Sequence, residues 1–108
     1  MGSRFEKYAK DIVFTVDGQE LRLKRVKTEK LQKLMNLTKD EENMLVNLVE
    51  YFGDIVASNY PEESREGVDA FVQSNVMTIF EEFQIAYGLI KRADLEKRKA
   101  ELLEKASK

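Results

Sequence analysis

Between residues 12 and 23 apolar and polar side chains alternate on both sides of an Asp17-Gly18 pair. Asp-Gly suits a two-residue type I′ turn, which requires positive φ at both positions. A turn there sets the register of a β-hairpin spanning about residues 11–25. It pairs Val16 with Gln19, Phe14 with Leu21 and Ile12 with Leu23 on one face. The other face pairs Thr15 with Glu20, Val13 with Arg22 and Asp11 with Lys24. One face is mostly apolar and the other mostly polar, with opposite charges at the open end. Two strands alone are marginal in water, so the hairpin needs helices to lie on.

The period then lengthens. Thr28 is placed to cap a short helix carrying Leu31, Leu34 and Met35. Thr38 and Glu41 have the spacing of a capping box, with acidic residues in the first turn of the helix it opens. That helix carries Leu45, Leu48, Val49, Phe52, Ile55 and Val56 and must stop near Pro61, the single proline. A third helix follows, with a stripe of Val68, Val72, Val76, Ile79, Phe83, Ala86 and Ile90, flanked by Phe80 and Tyr87. Gly88 weakens it by about 1 kcal/mol relative to alanine. From Asp94 the chain is rich in helix formers, with Leu95, Leu102 and Leu103 to bury, and reads as a solvated helical extension prone to fraying. The pattern predicts a mainly α fold: an N-terminal hairpin packed on a bundle of about three amphipathic helices, then a charged C-terminal helical tail. Residues 1–93 read as one domain and 94–108 as the tail.

Composition narrows the function. The 108 residues hold 43% hydrophobic and 35% charged side chains, enough for one modest core. No apolar run reaches the roughly 18 residues of a membrane span. The chain is therefore expected to be soluble, and the opening residues Met1 to Lys7 lack the apolar stretch of a signal peptide. Cysteine and histidine are absent, which removes disulfides, thiol nucleophiles and the commonest acid–base catalyst and metal ligand. Residues 1–30 carry eight basic and five acidic side chains, residues 31–90 three and eleven, and residues 91–108 seven and four. An acidic middle between mildly basic ends does not suit a nucleic-acid binder, which concentrates basic residues on one face.

No catalytic constellation emerges. The carboxylates Asp40, Glu41 and Glu42, then Glu62, Glu63 and Glu66, suit helix starts, and Glu81 with Glu82 falls between stripe positions, facing water. None has the spacing of a calcium loop, and the glycines stand too far apart for a phosphate-binding loop. Ser58, Ser64 and Ser74 have no histidine to activate them. The expectation is therefore no enzyme, no cofactor and no metal. Phe71, Phe80, Phe83 and Tyr87 recur at helical spacing and read as core rather than base-stacking groups. Projected at about 100° per residue, Phe71 and Leu89 share one edge of the third helix, with Ile85 further round. These three form a candidate contact for a partner chain, the alternative being the wide face of a central helix.

The hairpin, the acidic amphipathic helices and the charged helical tail together resemble the tail assembly chaperones of long-tailed phages and related proviruses. The stretch Phe71-Val72-Gln73-Ser74-Asn75-Val76-Met77-Thr78-Ile79-Phe80-Glu81-Glu82-Phe83 is similar to their late helix. The continuation through Gly88 and Leu89 to Lys97 is similar to how such chains finish, and the likeness spans roughly residues 11–100. The resemblance implies a non-enzymatic protein of the host cytoplasm that coats the tape measure protein, helps recruit tail tube subunits, and is released before the virion is complete. It also implies a homo-oligomer, while the charge pattern and the lack of a long apolar run imply no nucleic-acid or membrane partner. The rival reading is a small acidic helical adaptor of unrelated cellular function.

Overall fold

The computed structural model describes residues 4–106. The signal-peptide reading in part, and the last two residues of the tail, lie outside that range. A single 3-10 turn, Glu6–Tyr8, precedes strands β1 (Ile12–Val16) and β2 (Gln19–Leu23). Four helices follow: α1 (Thr28–Leu37), α2 (Met44–Asn59), α3 (Arg65–Ala86) and α4 (Arg92–Ala106). Among the described residues no helix is long and apolar enough to cross a membrane.

The hairpin has the register that its pattern dictates. Ile12 faces Leu23, Val13 faces Arg22, Phe14 faces Leu21, Thr15 faces Glu20 and Val16 faces Gln19. Asp17 and Gly18 both take positive φ, 50° and 74°, as a type I′ turn requires. Ile12, Phe14, Val16, Leu21 and Leu23 point into the core. The expected Asp11–Lys24 charge pair does not form among the described residues. The Lys24 amide instead donates to Asn59 Oδ1 (3.0 Å), and Arg25 Nε donates to the Lys10 carbonyl (3.1 Å).

β1 packs on α3 and β2 on α2, and α1 closes against α2. The core between these layers holds Leu34, Leu48, Phe52, Ile55, Val56, Val68, Val72, Val76, Ile79 and Phe83 beside the hairpin's inner face. Tyr51, absent from the predicted stripe of α2, is also buried. Its hydroxyl has a polar partner, donating to the Lys30 carbonyl of α1 at 2.8 Å. Leu45 was expected in that stripe but is exposed, because in the first turn of α2 it is the neighbouring Met44, four residues before buried Leu48, that packs against the core.

The helix ends depart from the predicted capping. Thr28 is the first residue of α1 rather than its cap, and extended Lys27 holds the cap position. Thr38 opens nothing. It closes α1 in a helical conformation, and its Oγ1 donates to the Met35 carbonyl (2.7 Å), one of the acceptors a helix C-terminus leaves unpaired. Asp40 then folds a turn by accepting the Asn43 amide (3.3 Å) and side chain (3.2 Å). The acidic run therefore precedes α2 instead of occupying its first turn. Ser64 does cap α3, accepting the Gly67 amide at 3.1 Å.

α3 is not one straight helix. Asn75 leaves the helical region (φ −131°, ψ 18°), and its side-chain amide donates to the Phe71 carbonyl at 3.0 Å. Gly88 does not weaken a continuing helix, because it ends α3 with φ 73°. The Leu89 amide donates to the Gln84 carbonyl (2.8 Å) and the Gly88 amide to the Ile85 carbonyl (3.0 Å), a Schellman stop. Ile90, assigned to the stripe of the third helix, accordingly falls beyond it.

Candidate protein-binding surface

α4 meets the body through charge. Arg92 Nη2 donates to Glu82 Oε2 and Lys99 Nζ to Glu81 Oε2, each at 2.8 Å. Glu81 and Glu82 thus do not simply face water: both are mostly covered, and they are the acidic halves of the ties between α3 and α4. Leu95 is half-buried on this side. Beyond Lys99, Leu102 and Leu103 are 66% and 72% exposed. The Cα radius of gyration is 15.3 Å, against about 13 Å for a compact domain of 100 residues, consistent with a projecting element.

The three residues grouped as a partner contact do not share one helical edge. Phe71 is half-buried against the core, on the rim of a depression of about 290 Å³ with Leu21, Val56, Tyr60, Glu63 and Val68. Ile85 is half-buried on the far side of the Asn75 kink, and Leu89 is exposed beyond the end of α3. The projection assumed a continuous helix, and both the kink and the Gly88 stop interrupt it. Phe80, Phe83 and Tyr87 belong to or pack against the core, as their spacing implies.

Hairpin attachment depends on polar tips that periodicity alone did not single out. The Arg22 amide donates to the Tyr60 hydroxyl (3.0 Å), and the Val26 amide donates to the Tyr87 hydroxyl (2.8 Å). The Arg25 guanidinium lies 5.1 Å from the centre of the Tyr87 ring. Asn59 and Tyr60 stand immediately before Pro61, and that helix end was the only sequence signal for their role.

Several other polar side chains have structural partners. Ser58 Oγ donates to the Ile55 carbonyl. Arg65 bridges Asp54 of α2 and Asp69 of α3 at 2.8 Å each, and both carboxylates raise its pKa. The Glu82 carboxylate likewise raises that of Arg92. Burial, with a smaller contribution from Tyr87, pushes the Tyr51 hydroxyl up to about 12. Among the described residues no group of three or more acidic, histidine or cysteine side chains is placed to hold a metal ion. Compared with protein-family models, curated proteins and solved structures, the chain matches none.

Proposed function

We propose that this protein acts without catalysis, as a tail assembly chaperone of a long-tailed phage or provirus working in the host cytoplasm. It covers the tape measure protein and helps recruit tail tube subunits before the tube polymerises. The observation that carries this reading is apolar surface held apart from a closed core: Leu102 and Leu103 stand in water on α4, beyond the Lys99–Glu81 tie to α3. Adjacent exposed leucines on a projecting helix can lie in the apolar stripe of another helix. The eleven acidic side chains between residues 31 and 90 keep such a complex dispersed. The resemblance of residues 71–83 to the late helix of tail assembly chaperones supplies the identity of the partner.

The test is co-expression with a helical fragment of a long-tailed phage tape measure protein. The fragment is expected to co-purify. Changing Leu102 and Leu103 to glutamate together weakens binding at least about tenfold, roughly 1.4 kcal/mol. The melting temperature stays put, because neither side chain belongs to the core. A fragment that is not retained overturns the reading, as does a double variant that binds like the parent. Equal retention of unrelated amphipathic helices points instead to a general adaptor.

A further inference from the structure

The two outer edges of the hairpin are finished differently. On β2 the outward amides of Arg22 and Lys24 are taken by the Tyr60 hydroxyl and Asn59 Oδ1, so α2 closes that edge. On β1 the outward backbone groups belong to Val13 and Thr15, which face Arg22 and Glu20 at the positions of the ladder that exchange no hydrogen bonds. Among the described residues nothing pairs with them, and the Val13 side chain is 43% exposed. Open strand edges are normally blunted by lysine, proline or a bulge. Residues 12–16 carry none of these: they read Ile-Val-Phe-Thr-Val.

We propose that a second copy of this chain adds to the open edge, β1 against β1, antiparallel about a two-fold axis at Val13. Self-complementarity selects both occupant and register. With Val13 opposite its counterpart, the exposed valine of one copy covers that of the other. Thr15 falls opposite Asp11, whose carboxylate accepts from the threonine hydroxyl. Val13, Thr15 and Asp11 are alternate residues, so the outward amides and carbonyls meet as hydrogen-bonding pairs. Ile12 then stands beside Phe14 of the other copy on the apolar face. Sliding the axis by one residue to Phe14 keeps the backbone bonds but sets each exposed Val13 against Thr15 of the other copy, so the two valines no longer cover one another. The result is a four-stranded sheet with the β2 strands outermost, each already closed by its own α2.

The chain has no cysteine, so a single introduced thiol reports the register. Directly opposed residues of a hydrogen-bonded pair have Cα atoms about 5.5 Å apart, inside the range a disulfide spans. Two copies of residue 15 would be offset by four positions, about 13 Å, and out of reach. Sedimentation of the unmodified protein at high micromolar concentration is expected to give twice the chain mass. Mild oxidation is expected to convert Val13→Cys to a covalent dimer while leaving Thr15→Cys at background. Both side chains point away from the helices, so the fold tolerates either change. A monomer at every concentration overturns the proposal, and so does Thr15→Cys cross-linking as readily as Val13→Cys. The sedimentation result stands without any variant.

Discussion

At Gly18 the backbone φ of 74° is the left-handed conformation, and a Cβ built there meets nothing within 4 Å. The cost of a side chain is therefore purely conformational, about 1–2 kcal/mol, and greatest for a β-branched residue. Gly18→Val is expected to lower the thermal midpoint by several degrees, while Gly18→Asn, which tolerates positive φ, loses much less. Melting within a degree of the parent for the valine variant would contradict the turn. Tyr51 gives a second residue-scale expectation. Its hydroxyl is pushed up to about 12 by burial first, then by Tyr87. A group raised on folding contributes stability that is complete below its unfolded pKa of about 10 and is lost as pH rises towards 12. Stability should therefore fall over that window, and the fall should be shallower in Tyr51→Phe. That variant also loses the bond to the Lys30 carbonyl, about 0.5–1.5 kcal/mol at neutral pH. Ultraviolet titration should show Tyr51 ionising at about pH 12.

The elements differ in how far they are written locally. The hairpin was legible to the register because two independent signals agree: a period of two, and a turn whose chemistry admits one conformation. Pro61 made the end of α2 equally plain. Caps were less legible, since Thr38 bonds backward to Met35 as readily as a capping threonine bonds forward, and only the preceding helix decides between them. The kink at Asn75 and the stop at Gly88 were hidden for a related reason. Valines and isoleucines keep the helical period through the first, and Ile90 continues it past the second. The candidate contact of Phe71, Ile85 and Leu89 was grouped on the same assumption of one continuous helix. α4 is tied down by ion pairs more than by apolar packing. Exposed pairs contribute about 0–1 kcal/mol each and weaken with salt, although Glu81 and Glu82 are partly covered here. Amide exchange is therefore expected to open α4 before α2 or α3, and earlier still in molar salt. Protection of α4 equal to that of α2 would mean that packing, not charge, holds it.

In the molecule as a whole, aromatic rings join the layers. Phe83 meets Phe52 and Tyr51 edge-on at 5.1 and 6.4 Å and Tyr87 in a tilted contact at 4.7 Å, so one side chain of α3 touches the ring system of α2 and the residue that anchors the hairpin's exit. Removing it strikes every layer. Phe→Ala in a core costs about 3–5 kcal/mol, a large share of the 5–15 kcal/mol that holds a domain of this size. The hairpin has no independent means of surviving that loss, because two strands need a partner layer and its inner face is buried on α2 and α3. Phe83→Ala is therefore expected to lower the midpoint by well over ten degrees while keeping one transition. Helical ellipticity and tyrosine fluorescence should fall together, the latter reporting Tyr60 and Tyr87 at the hairpin's edge and exit. Met77→Ala, an exposed change on the same helix, provides the control and should shift the midpoint little. If the two signals separate in Phe83→Ala, with the tyrosine environment persisting after the helices melt, hairpin and bundle are independent units, and the single core drawn through Phe83 is wrong.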